Sequence, residues 1–112
     1  MPFRPLAATA ACLLYAGAAL AQTLTGLYTV DGRNPDGSSY SGQMVLTDAG
    51  DRITVNWTVG NQSYSGTGTL DGRVIEIDWG SADPVVYVIM PNGNLHGTWA
   101  DGRALERAER QN

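Results

Sequence analysis

The chain has 112 residues, one histidine, one cysteine and a formal net charge of −4 at pH 7. This length provides material for one hydrophobic core, so a single domain is expected. All seven basic residues are arginines, and they are scattered singly along the sequence. The absence of a basic stripe argues against nucleic acid and against an anionic membrane surface as partners.

The first 21 residues have the layout of a secretory signal peptide. A basic start at Arg4 precedes an apolar run over residues 6–20, and Ala-Leu-Ala ends at Ala21 before Gln22, which fits an A-x-A cleavage site. A retained amino-terminal anchor is the alternative, although the run is short for a membrane span of about 20 apolar residues. Cleavage after Ala21 removes Cys12 and leaves a mature chain of 91 residues, numbered 22–112, without a disulfide. We therefore predict a periplasmic or secreted protein with no membrane attachment after cleavage.

From residue 24 onward, short segments rich in Val, Ile, Thr, Tyr and Trp alternate with turns rich in Gly, Asp, Asn and Pro. Asp-Gly and Asn-Gly pairs supply the positive φ angles that tight hairpin turns need. The pattern predicts eight strands, at residues 24–30, 41–47, 52–59, 62–70, 73–79, 85–90, 94–99 and 103–107. The expected fold of residues 22–112 is one all-β domain, an antiparallel up-and-down meander that closes into a barrel. A two-sheet β-sandwich is the alternative.

The alternation of apolar and polar residues predicts which side chains point inward. In "RITVNWTV" (52–59) the apolar residues share one face, and in "VIEIDW" (74–79) the residues Ile75, Ile77 and Trp79 do the same. Gly66 and Gly68 lie on the inward face of their strand, where they would let it bend or leave room for an aromatic ring. The tail "RALERAERQN" (103–112) is interpreted as a final strand followed by a frayed end, with a helical turn as the alternative.

The residues that could carry catalysis are few. His96, the only histidine, falls on the polar face of its strand, and no nucleophile elbow, phosphate loop or dinucleotide motif occurs. Glu76 and Asp78 project from one face about 7 Å apart, which would suit acid–base work on a sugar, but that face points to water. We predict no catalytic residue, no metal and no cofactor. A carboxylate-based hydrolase that uses this pair is the remote alternative.

The aromatic residues are the stronger candidates for a binding site. Trp57, Trp79 and Trp99 fall on inferred inward faces, and Tyr87 belongs to the same candidate set. Large rings fill the core of a small domain efficiently, but they also stack on sugars and flat hydrophobic molecules. Both interpretations remain open from the sequence. The three Asp-Gly-Arg copies, at residues 31–33, 71–73 and 101–103, are interpreted as turns.

Two motifs frame the mature chain. "GLYTVDGRNPDGSSYSG" (26–42) follows G-x-Y-x-V-x-G-x-N-P-D-G-S-x-Y-x-G, and "GNLHGTWADGRALE" (93–106) follows G-x-L-x-G-x-W-x-D-G-x-x-x-E. In this order the motifs resemble a family of small exported proteobacterial β-proteins of unknown function, some of which are labelled fibronectin-binding proteins. A fainter similarity to avidin-like and lipocalin-like barrels rests on the strand count and on "LTGLY" (24–28).

The resemblance implies a non-enzymatic binding module that contacts a host or envelope macromolecule, with fibronectin as the partner that the family label names. The alternative is a barrel that holds a small hydrophobic or sugar ligand against the inward tryptophans. A structural role is expected for the motif residues Asn34, Asp36, Gly37, Tyr40 and Glu106. For Glu106 we expect a carboxylate that accepts hydrogen bonds from the backbone amides of the "NPDGSSY" loop and so joins the first and last strands.

Overall fold

The fold is an eight-stranded antiparallel barrel, described for residues 24–111 by a computed structural model. The strands are β1 (Gly26–Arg33), β2 (Ser39–Asp48), β3 (Ile53–Val59), β4 (Gln62–Asp71), β5 (Val74–Asp78), β6 (Val85–Ile89), β7 (Leu95–Trp99) and β8 (Ala104–Arg110). Each strand pairs with the next along the chain, and β8 pairs with β1, which closes the sheet. The barrel is therefore confirmed over the sandwich. The predicted signal peptide and its cleavage site lie outside the described residues.

The first Asp-Gly-Arg copy is not a turn, and that prediction was wrong. Residues 31–33 continue β1, because they are paired on one side with β2 and on the other with β8. The turn follows at residues 34–38, where the amide of Asn34 donates to the carbonyl of Ser38 at 2.8 Å and Gly37 has a φ of 89°. The other two copies do form turns, since Gly72 and Gly102 have φ values of 61° and 81°.

The last strand is longer than predicted and does not fray after residue 107. β8 extends to Arg110, because β1 remains beside it as a partner, with Ala108 opposite Val30 and Arg110 opposite Tyr28. The amide of Gln111 then donates to the carbonyl of Leu27 at 3.0 Å. The strand interpretation of the tail is confirmed over the helical turn. Within residues 24–111, no helix is long and apolar enough to cross a bilayer.

The barrel has two ends that differ in their interior. The closed end carries the β2–β3, β4–β5 and β6–β7 connections, at residues 49–52, 72–73 and 90–94. The open end carries the other connections, at residues 34–38, 60–61, 79–84 and 100–103. Toward the closed end the interior is filled by buried side chains, among them Leu24, Tyr28, Val30, Met44, Leu46, Ile53, Val55, Ile75, Ile77 and Leu95. The inward alternation predicted for residues 52–59 and 74–79 is present.

Gly66 and Gly68 bring β4 close to the backbone of β5. A Cβ atom built on Gly68 would overlap the carbonyl oxygen of Glu76, and one on Gly66 would lie 2.6 Å from the Cγ2 atom of Ile77. The two glycines therefore permit a close approach of two strands. This close approach is a role different from the two expected for them, a bend or a space for an aromatic ring.

Candidate ligand-binding site

A cavity of about 210 Å³ lies inside the open end of the barrel. Its wall consists mostly of aromatic and branched apolar side chains, with an amide at the rim and one carboxylate. The lining residues are Asn34, Tyr40, Trp57, Val59, Tyr64, Trp79, Val85, Trp99 and Glu106. They come from six strands and two connections, and all of them except Asn34 and Trp79, which lie just beyond strand ends, point inward from strands. The site is thus built on the rigid part of the fold.

Four aromatic rings form a continuous series around the cavity. Tyr64 and Trp79 have ring centroids 6.2 Å apart at an angle of 75°, and Trp79 and Trp99 lie 5.8 Å apart at 85°. Tyr40 follows Trp99 at 6.2 Å and 63°. Such edge-to-face pairs are the preferred geometry of neighbouring rings. Each ring is steeply inclined to the next, and the series runs along the cavity wall.

Hydrogen bonds fix two of the indole rings in place. The Nε1–H group of Trp79 donates to the carbonyl oxygen of Asp83 at 3.1 Å. The Nε1–H group of Trp99 donates to the Tyr40 hydroxyl at 2.9 Å. A ring that is anchored at its polar edge cannot turn freely into the cavity, because the turn would leave the N–H group without its acceptor. The cavity is therefore supported by polar contacts as well as by packing.

Glu106 lies at the inner wall of the cavity and is only 8% exposed. Its Oε1 atom accepts a hydrogen bond from the Tyr40 hydroxyl at 2.8 Å. Its Oε2 atom accepts from the Tyr87 hydroxyl and, at 3.3 Å, from the indole N–H of Trp57, which also donates to Tyr87 at 2.9 Å. The expectation for Glu106 was therefore wrong. The donors are side chains on β2, β3 and β6, and β1 and β8 are joined by their own backbone pairing.

Two glycines make room for the tyrosines that bind Glu106. In the barrel register Glu106 lies between Gly32 on β1 and Gly97 on β7. Gly32 is opposite Tyr40, and any Cβ atom on Gly32 would overlap the Tyr40 ring. Gly97 is opposite Tyr87, and a Cβ atom there would lie 2.5 Å from the Cδ1 atom of that ring. Each glycine thus lets one tyrosine lie flat across the sheet with its hydroxyl directed at the carboxylate.

Burial changes the protonation chemistry of this cluster. Loss of solvent raises the pKa of the Glu106 carboxyl, while the hydrogen bonds from Tyr87, Tyr40 and Trp57 act in the opposite direction. Burial also raises the pKa of Tyr87 and of Tyr40, and in both the negative charge of Glu106 adds to the effect. Both tyrosines therefore remain protonated hydrogen-bond donors at neutral pH.

Three of the four predicted ligand-binding residues line the cavity. Trp57, Trp79 and Trp99 come together there, whereas Tyr87 lies beneath it, fully buried. The Tyr87 hydroxyl contacts Glu106, Trp57 and the sulfur of Met44, so its place is in the support of the site. Tyr87 therefore positions Glu106 and Trp57 from beneath the cavity and is not part of its wall, and its role as a ligand contact stays a prediction.

The predicted motif residues divide between the cavity and a turn. Tyr40, Glu106 and Asn34 line the cavity. Asp36 and Gly37 shape the β1–β2 turn, where the Asp36 carboxylate accepts from the Ser38 hydroxyl at 2.6 Å and the Ser38 amide at 3.0 Å. These bonds, the hydroxyl first, lower the pKa of Asp36.

The other candidate residues lie on the outside of the barrel. Glu76, Asp78 and His96 are exposed, and none of them is part of the cavity wall. Their alternation predicted this outward position. Among residues 24–111 no group of three or more His, Cys, Asp or Glu side chains is placed to hold a metal ion.

Sequence reasoning missed three of the lining residues. Tyr64, Val59 and Val85 were not among the residues singled out for the site. A signal for Tyr64 was present, because the short "GN" turn at residues 60–61 places Tyr64 opposite Trp57. Hairpin register can therefore identify an aromatic partner when one ring of the pair is already suspected.

Comparison with known proteins supports the fold alone. No family model and no curated protein matches the chain. Among solved structures, a redesigned beta barrel is similar to this chain, with a TM-score of 0.59 and 21% sequence identity. The match covers 82% of this chain and 95% of the redesigned barrel. At this level of identity the likeness shows a shared barrel architecture and carries no ligand or activity with it.

Proposed function

We propose that the protein is an exported, non-enzymatic binding protein that holds a small ligand in the open end of its barrel. The observation that carries this proposal is the aromatic cavity around Glu106. Ligand sites combine a mostly apolar wall with a few convergent polar groups, and here the polar groups are Glu106, Tyr40 and Asn34. Pockets for drug-sized ligands measure about 300–1,000 Å³. A cavity of about 210 Å³ suits a smaller molecule.

The closed end supports the interpretation of this space as a site instead of a packing fault. There the inward-facing positions carry tightly packed side chains, and residues such as Ile53, Ile75 and Leu95 have no exposed surface. The chain therefore fills its barrel where aliphatic residues face inward. At the open end it places tryptophan and tyrosine, and the indole rings of Trp79 and Trp99 are fixed by hydrogen bonds to Asp83 and Tyr40.

The family label favoured a macromolecular partner as the first expectation, with fibronectin as the named candidate. That expectation rests on the resemblance of the two motifs. The cavity favours the alternative of a small ligand, and it does so through contacts that can be tested one by one. Export to the periplasm or the medium, proposed from residues 1–21, would place the cavity in contact with solutes outside the cytoplasm.

Native mass spectrometry tests the proposal. The protein should be exported through its own signal sequence and purified without denaturation. We expect a reproducible additional mass of a small molecule, which is released when the protein is unfolded. A bare mass, together with tryptophan emission that does not respond to an extract of the culture medium, would contradict the proposal.

A matched pair of variants locates the bound molecule. Val59→Phe adds a ring inside the cavity, because Val59 is part of its wall. Val45→Phe makes the same change on the outer face, where Val45 is 46% exposed. We expect the additional mass to be lost in the first variant and retained in the second. Equal retention in both would place the molecule elsewhere on the protein.

A further inference from the structure

The cavity wall carries one formal charge, and it is negative. Among the described residues that line the cavity, Glu106 is the only acidic side chain, and none is arginine or histidine. A carboxylate has about four acceptor positions. Tyr40, Tyr87 and Trp57 occupy three of them. These hydrogen bonds favour the charged form of the side chain, and no cation of the cavity wall is paired with it.

Five aromatic rings surround this charge. Trp57, Trp79 and Trp99 contribute indoles, and Tyr40 and Tyr64 contribute phenols. The face of an aromatic ring is electrostatically negative, and tryptophan attracts cations most strongly among the aromatic side chains. Rings that stand nearly perpendicular to their neighbours, as in the series from Tyr64 to Tyr40, form the walls of the cages that bind alkylated ammonium groups.

The charges of the connections add a field of the same sign. At the open end the connections carry Asp36, Asp83 and Asp101 against one arginine, Arg103. At the closed end they carry Asp51 against Arg52 and Arg73. The open end is therefore the more negative end of the barrel. A charge distribution of this kind raises the local concentration of cations at the mouth of the cavity.

At the closed end, an aromatic ring of the interior is paired with a cation of the chain itself. There the guanidinium of Arg110 lies 5.7 Å from the centroid of the Tyr28 ring and donates to the Tyr28 hydroxyl at 3.1 Å. At the open end the chain provides rings and an acceptor but no arginine of its own in the cavity wall. The complementary group is one that a ligand would bring.

We propose that the ligand of this cavity is a small organic cation, an ammonium ion whose nitrogen carries methyl or methylene groups. The inference rests on the proposed function, because it names the chemical class of the molecule that the open end holds. The alkyl groups pack against the indole and phenol rings, and the positive charge is attracted to the ring faces and to the carboxylate of Glu106. A neutral molecule of the same shape gains the packing without the electrostatic part.

A pair of isosteric probes separates these contributions. Choline and 3,3-dimethyl-1-butanol have the same skeleton, except that the quaternary nitrogen of choline is a carbon atom in the alcohol. The mature protein is titrated with each probe at one salt concentration, and binding is monitored by tryptophan emission and by calorimetry. The two titrations give one dissociation constant for each probe. We expect choline to bind at least about tenfold more tightly.

Glu106→Gln tests the part played by the carboxylate. The amide keeps the shape of the side chain and one acceptor oxygen but removes the charge. We expect the preference for choline to fall to about threefold, the remainder that ring faces contribute on their own. The outer-face variant Val45→Phe should keep the full preference. If Glu106→Gln does not fold, the comparison of the two probes on the wild-type protein decides by itself.

The possible results separate this inference from the proposed function. If the neutral alcohol binds as tightly as choline, the cation inference is overturned, while a small-ligand barrel still stands. If neither probe binds but native mass spectrometry finds a retained molecule, the cation inference is again overturned. If neither probe binds and no molecule is retained, both the inference and the proposed function fall.

Discussion

The two ends of the barrel are built by the same strands and differ in what those strands place inside. Toward the closed end, most inward positions carry Leu, Ile and Val, and the side chains there are buried. There Arg110 donates to the carbonyl of Thr25 at 3.0 Å and lies over the Tyr28 ring. At the open end, inward positions carry Trp and Tyr around Glu106, and a cavity remains.

This difference shows that the alternation in a strand can determine which side chains point inward without determining whether they fill the interior. Aliphatic side chains have no polar atoms to satisfy, so they can adjust until the interior is filled. The indole N–H and the phenol O–H each require a partner, and the partner fixes the position of the whole ring. The Nε1 atom of Trp79 has the Asp83 carbonyl as its partner, and that of Trp99 has Tyr40. The rings are therefore held at the wall.

The test with the largest expected effect uses two valines on the inward face of β3. Val55 has no exposed surface, whereas Val59 is half-buried in the cavity wall. Val55→Ala removes two buried methyl groups and leaves a void, so we expect a loss of about 2–3 kcal/mol. For a domain of this size the midpoint of thermal unfolding would fall by at least about 10 °C.

Val59→Ala should cost less than about 1 kcal/mol, because the lost groups already face open space. Its ligand affinity should fall, while that of Val55→Ala should stay unchanged. Thermal unfolding followed by circular dichroism, together with a ligand titration, measures both effects. Equal losses of stability would mean that the open end is packed as tightly as the closed end.

The second test uses the two glycines that flank Glu106. Gly97→Ala places a methyl group 2.5 Å from the buried ring of Tyr87 and 2.6 Å from the carbonyl oxygen of Val86. Since neither the ring nor the backbone can move away easily, we expect a loss of about 1–3 kcal/mol from overpacking. Chemical denaturation with urea measures it.

The three atoms nearest to the methyl group of Gly32→Ala all belong to Tyr40, whose ring is half-buried at the open end and can turn toward the cavity. We expect a smaller loss of stability but a marked loss of ligand affinity, because the displaced ring enters the binding space. If Gly97→Ala proved as stable as the wild type, Tyr87 would not be held against β7 as tightly as described.

The third test concerns the cation at the closed end. Arg110→Met keeps an unbranched apolar stem but removes the guanidinium that bonds to Tyr28 and Thr25. We expect a loss of about 1 kcal/mol, in the range of a cation–π contact with an added charged hydrogen bond. Ligand affinity should not change.

The matched control for Arg110→Met is Arg107→Met, on the outer face of the same strand. Arg107 lies 3.7 Å from Asp31 in an ion pair whose side chains are more than half exposed. Such pairs contribute little, so this variant should melt close to the wild type. If both variants had the same melting temperature, the Arg110 guanidinium would contribute no more to stability than a surface charge does.

Much of the fold could be predicted because its determinants are local. The alternation in β3 and β5 fixes which face is apolar, and the Gly-containing turns fix where each strand ends. Trp57, Trp79 and Trp99 could be placed inside the open end for the same reason, since each is an inward residue within three positions of a turn at that end. No knowledge of distant contacts is required for these statements.

The support of the site could not be predicted, because it depends on the register of distant strands. Asp-Gly-Arg has the same three letters at residues 31–33 as at the two turns, and only the pairing of Gly32 with Tyr40 and Glu106 makes it part of a strand. The bond from Tyr40 to Glu106 spans 66 residues of chain. Nothing in the sequence around Glu106 indicates that its donors come from three other strands.

The smallest effect concerns how the stability of the open end depends on pH. Burial raises the pKa of Glu106 above its ordinary value of 4.5, so the folded protein holds this proton more tightly than the unfolded chain does. The resulting stability is fully present below about pH 4.5 and is lost as the pH rises through the folded pKa. Glu106→Gln lacks this proton, whereas Tyr40 and Tyr87, which face the carboxyl, stay protonated in both proteins over the range. Asp36, whose pKa is lowered, has the opposite dependence but is also common to both.

We therefore expect the wild type to lose stability relative to Glu106→Gln as the pH rises from about 4 to about 8. Unfolding midpoints of the two proteins measured side by side give this difference. Parallel curves would mean that Glu106 has the same pKa in the barrel as in the unfolded chain, so that its hydrogen bonds fully offset its burial. The open end would then differ from the closed end in packing but not in the pH dependence of its stability.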